Sequence, residues 1–64
     1  MKDRHVTKNL DEALDIFIKE LPDPATPHVS TIIDQFEIDG QMIILYAQKY
    51  KSDGGMKWKV SDMN

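Results

Sequence analysis

Two Asp-Gly dipeptides, at 39–40 and 53–54, constrain this chain more than any other feature. Asp-Gly is favoured in two-residue hairpin turns, where the backbone must take positive φ. Each dipeptide is flanked by residues that suit strands. Val29, Thr31, Ile32, Ile33, Phe36 and Ile38 precede the first, and the run from Met42 to Tyr50 follows it. After the second, Met56, Trp58 and Val60 alternate with Lys57, Lys59 and Ser61, the pattern of a half-exposed edge strand guarded by lysines.

Taken as tight hairpins, the two turns fix a register. The first opposes Ile32 to Ala47, Asp34 to Leu45 and Phe36 to Ile43. The second opposes Leu45 to Asp62, Ala47 to Val60 and Lys49 to Trp58. Side chains alternate across a strand, so both turns independently gather Ile32, Phe36, Ile38, Ile43, Leu45, Ala47, Met56, Trp58 and Val60 on one face. Strands are expected near 29–38, 41–50 and 56–62. A helix over 28–36 is the competing reading, because Val29, Ile32, Ile33 and Phe36 also fit helical spacing.

Upstream, Leu10, Ala13, Leu14, Phe17, Ile18 and Leu21 recur at the spacing of one helix face. Asn9 is placed to cap that helix, with Glu12 three residues on, and Pro22 should end it, giving a helix over 9–21. Three prolines between 22 and 27 then make a stiff connector. Residues 1–6 show no periodicity and are expected to be flexible. The fold expected is a single α+β domain over residues 1–64: one amphipathic helix on a three-stranded antiparallel β-meander, in the order α-β-β-β.

Sixty-four residues support only a small core. With no cysteine there is no disulfide or thiolate chemistry to reinforce it. No catalytic residues, cofactor or metal site are expected. His5 and His28 lack the spacing of helical metal ligands, Asp53-Gly54-Gly55 lacks the rest of a phosphate loop, and Ser30, Ser52 and Ser61 lack a His–acid pattern. Asp34 is the anomaly, because the register sets it on the packed face between Ile32 and Phe36. Three roles are open to it: a general acid or base, a marginal carboxylate in water or near a lysine, or a solvent-facing residue of a helix.

The opposite face collects Ile33, Met42, Ile44, Tyr46, Gln48 and Tyr50, with Lys57 and Lys59. One short helix cannot cover both sides of a sheet, so this second face should stay open unless the chain ends fold across it. The expected function is a non-enzymatic protein-binding module of adaptor, inhibitor or antitoxin-like type, the kind of small chain carried by phages and mobile elements. It would bind its partner protein through Ile33, Met42, Ile44, Tyr46 and Tyr50 and form a homodimer. A single-stranded nucleic-acid-binding surface on Tyr46, Tyr50, Lys57 and Lys59 is the alternative.

Charge is divided along the chain. Residues 1–40 hold four bases against nine acids and residues 41–64 hold four against two, within a net charge of −3. That balance disfavours nucleic acid and makes the helix an acidic contact surface. No apolar run is long enough to span a membrane, and the N-terminus lacks the apolar stretch of a signal peptide, so a cytoplasmic location is expected.

Overall fold

The computed structural model describes residues 5–63. The chain runs β1 (His5–Thr7), α1 (Leu10–Lys19), β2 (Thr31–Ile38), β3 (Gln41–Ser52) and β4 (Gly55–Asp62). The strands form one sheet in that spatial order. The architecture is α+β, but the three-stranded meander expected from the sequence is corrected to a four-stranded mixed sheet, because β1 pairs parallel with β2. Three residues are too few to show alternation, so β1 leaves no periodic signal. The flexible segment expected over 1–6 is corrected at His5 and Val6, which lie in β1, and its first four positions fall outside the described residues.

Both antiparallel registers match the expectation. β2 pairs with β3 through Ile32–Ala47, Asp34–Leu45 and Phe36–Ile43, and β3 pairs with β4 through Leu45–Asp62, Ala47–Val60 and Lys49–Trp58. Residues 31–38 are therefore strand, and the helical alternative for 28–36 is overturned.

The two turns reach these registers differently. Asp39 and Gly40 both take positive φ, 51° and 77°, as a type I′ turn requires. At the second turn neither Asp53 nor Gly54 does; the positive φ falls on Gly55, at 112°. An L-residue at that angle is strained although no atom lies near the missing Cβ. Gly55→Ala should therefore cost about 1–3 kcal/mol, while Gly54→Ala should stay within about 0.5 kcal/mol. Urea denaturation of the two variants checks the difference.

Helix α1 is two residues shorter at its C-terminal end than the expected 9–21. Asn9 caps it, its Oδ1 accepting from the Glu12 backbone N–H at 2.8 Å. The Glu12 carboxylate reaches back one residue further than in a capping box and accepts from the Lys8 N–H at 2.7 Å. Glu20 is the C-cap, and the Leu21 N–H bonds to the Ile18 carbonyl, tightening the exit before Pro22.

The core is Ala13, Phe17, Phe36, Leu45 and Ala47, all buried. Leu14, Ile16, Leu21, Ile32, Ile38, Ile43, Trp58 and Val60 pack around it. Phe17 meets Phe36 edge-on, with ring centroids 6.3 Å apart. Several residues depart from the expected faces. Leu10 is 40% and Ile18 53% exposed while Ile16 turns inward, so the buried stripe is rotated relative to the one read from spacing. Met56 is exposed, because it sits at the β3–β4 turn beyond the reach of a ten-residue helix.

The proline-rich connector covers part of the sheet that the helix leaves bare. Trp58 Nε1 donates to the Pro22 carbonyl at 2.8 Å. The Lys49 ammonium donates to the Thr26 carbonyl and lies 5.4 Å from the centre of the Trp58 ring. An open groove of about 390 Å³ remains between the helix end, Pro22, Pro24, Trp58 and Val60. No helix among the described residues is long and apolar enough to cross a membrane.

Candidate functional site: the open sheet face

Because β2 and β3 alternate, the residues between the core positions project from the other side of the sheet. The observed register sets Ile33 opposite Tyr46, Gln35 opposite Ile44 and Glu37 opposite Met42. It sets Tyr46 opposite Ser61, Gln48 opposite Lys59 and Tyr50 opposite Lys57. All the partner-binding candidates, Ile33, Met42, Ile44, Tyr46 and Tyr50, thus share one face, and so do Lys57 and Lys59. Val6 joins them from β1, opposite Glu37 in the parallel pair and exposed. The sequence reading missed Val6 because it missed β1.

This face is open. Ile33 is 60% exposed, Tyr50 44% and Met42 38%, while Ile44 and Tyr46 at the centre are half-buried by these neighbours. Helix α1 packs on the other side, against β1 and β2. Neither described chain end crosses the face. Residues 5–7 extend the sheet sideways as β1, and the Met63 N–H continues the β4 ladder by bonding to the Ile44 carbonyl at 3.0 Å. The molecule measures 39 × 25 × 18 Å, so the open face is one of its two broad sides.

The polar groups of this face divide by strand. Glu37 and Gln35 lie on β2, the lysines on β4, and the central strand is apolar or aromatic except for Gln48 and, at its end, Ser52. An arrangement of this kind binds by burying apolar and aromatic surface within a charged rim.

Asp34, the anomalous carboxylate, lies on the helix side of the sheet as the register required. Its helical reading falls with the helix itself. It sits at the margin of the core, 17% exposed at the side chain, with His5 from β1 at 3.4 Å among its neighbours. Its Oδ1 accepts from the Gln35 N–H at 2.8 Å. His5 also approaches Glu20 at 3.7 Å and stacks on Phe36 with centroids 4.9 Å apart. These three titratable groups come from three separate elements, and only the existence of β1 brings them together. His28, in the connector at φ 70°, is exposed and does not join the cluster.

Comparison with protein-family models, curated proteins and solved structures finds no match to this chain.

Proposed function

We propose that the chain is a non-enzymatic protein-binding module that works through the open face of its sheet, and that a second copy of the chain docks there. The observation that carries this reading is the apolar surface of Ile33, Met42, Ile44 and Tyr46, resumed beyond Gln48 by Tyr50, on a face whose central strand is apolar on both sides from Met42 to Ala47. A sheet with one solvated face alternates cleanly, as β4 does. A specific contact buries about 800 Å² on each partner, which the 39 × 25 Å outline of this side accommodates. Stacking two such faces also leaves both helices outermost. Their exposed Asp11, Glu12 and Asp15 would then be presented on both sides of the dimer, which suits an adaptor, inhibitor or antitoxin-like protein meeting a basic partner.

Edge-to-edge pairing is disfavoured, since β1 offers three residues and β4 carries Lys57 and Lys59. A second reading draws on the pairing of Tyr50 with Lys57, which sets an aromatic ring beside a cation on the same face. Single-stranded nucleic acid is bound by surfaces with that combination.

Salt separates the two readings. The double variant Lys57→Glu/Lys59→Glu should keep the dimer mass in light scattering, and fluorescence anisotropy with a single-stranded oligonucleotide should show no saturable binding at physiological salt. Oligonucleotide affinity that falls steeply with salt and disappears in the double variant would instead favour the nucleic-acid reading.

A further inference from the structure

We propose that His5, Glu20 and Asp34 form a binding site for one divalent transition-metal ion, with zinc the ion expected. Each residue offers one ligand atom, and the three atoms lie within 4.8 Å of one another. His5 Nε2 is 3.4 Å from Asp34 Oδ2 and 3.7 Å from Glu20 Oε1. Zinc bonds of about 2.0–2.2 Å at tetrahedral angles separate neighbouring ligand atoms by roughly 3.3–3.6 Å. The two separations from His5 are therefore near those of a loaded site, and a side-chain movement of Glu20 toward Asp34 would close the third. Glu20, the most exposed of the three and at the end of a helix, is the ligand with most room to adjust.

The setting agrees with the distances. Asp34 projects from the helix side of the sheet, between Ile32 and Phe36, which brings its carboxylate beside His5. The His5 ring is fixed by stacking on Phe36, and Asp34 is steadied through the bond from Gln35. An open cleft of about 160 Å³ lies beside Glu20 and Asp34. One imidazole with two carboxylates suits zinc and its neighbours in the first transition row better than calcium or magnesium, which take oxygen ligands in larger number. Three protein ligands leave the fourth position of the tetrahedron to water.

The consequence is structural. The ion would clasp β1, which is only three residues long, and the C-terminal end of α1 onto β2. Metal binding to the folded state alone raises its stability by mass action.

The test is calorimetric titration of zinc chloride into the untagged, chelator-treated full chain. One ion should bind per chain and raise the melting temperature. His5→Ala and Asp34→Asn should each weaken binding by about tenfold or more, whereas His28→Ala should leave it unchanged. Should His5→Ala fail to fold, cobalt(II) titration of the unaltered chain followed by NMR decides the matter, because paramagnetic shifts should centre on the His5 ring and on Glu20 and Asp34. Absence of saturable binding, binding that survives His5→Ala, or shifts centred on another part of the chain would overturn the site.

Discussion

Replacing Phe36 with alanine should lower the stability of the chain by about 3–5 kcal/mol and leave it largely unfolded at 37 °C. A domain of this length has roughly 3–10 kcal/mol in total, so one core ring accounts for a large part of it. Phe36 is completely buried and is the residue on which the other elements meet. Phe17 from α1 packs edge-on against its ring, His5 from β1 stacks on it, and Ile43 opposes it across the hairpin. Removing the ring opens a cavity that the small surrounding core cannot close, and it releases β1 as well. Ile18→Ala, in the helical stripe read from the sequence but more than half exposed, should change stability by no more than about 0.5 kcal/mol. Urea denaturation followed by the fluorescence of Trp58 distinguishes the two outcomes.

Ile44→Asp should weaken self-association by about 100-fold or more, the largest effect expected on function. Ile44 lies between Met42 and Tyr46 on the open face, on the strand that carries most of it. Burying Ile33, Met42, Ile44 and Tyr46 against a second copy contributes on the order of 1.5–3 kcal/mol each, before the costs of association are subtracted. A carboxylate at position 44 removes one of these contributions and adds the cost of desolvating a charge in the middle of the contact. The isolated chain should suffer less, by about 1 kcal/mol, because the substitution replaces a strand-favouring residue on a face already partly in water. The melting temperature of the unaltered protein should therefore rise with its concentration, while that of Ile44→Asp should not.

Most of the sheet was legible because Asp39-Gly40 and Asp53-Gly54 act over two residues and leave little freedom of register. Even the second turn, which puts its positive φ on Gly55, preserves the pairing that the dipeptide implied. The cap at Asn9 was legible for the same reason, since it depends on a residue three positions away. What escaped was non-local. β1 exists because His5, Val6 and Thr7 find an open edge beside Phe36, Glu37 and Ile38, thirty-one positions along the chain. Nothing in His-Val-Thr announces this. The cluster of His5, Glu20 and Asp34 escaped with it, for no spacing rule joins a strand residue, a helix end and a second strand. Asp34 was nevertheless conspicuous from sequence, as an acid placed among apolar neighbours, and that was the one visible trace of the cluster. Ile16 and Ile18 exchanged roles because the helix lies over β1 and β2, a placement that helical spacing does not encode.

The open face as a contact between copies is tested most directly by the mass of the chain in solution. Light scattering at tens of micromolar should give about 15 kDa for the unaltered protein, twice the 7.4 kDa of one chain, and a single-chain mass for Ile44→Asp at the same concentration. A single-chain mass for the unaltered protein across that range, or a dimer that persists in Ile44→Asp, would contradict the account.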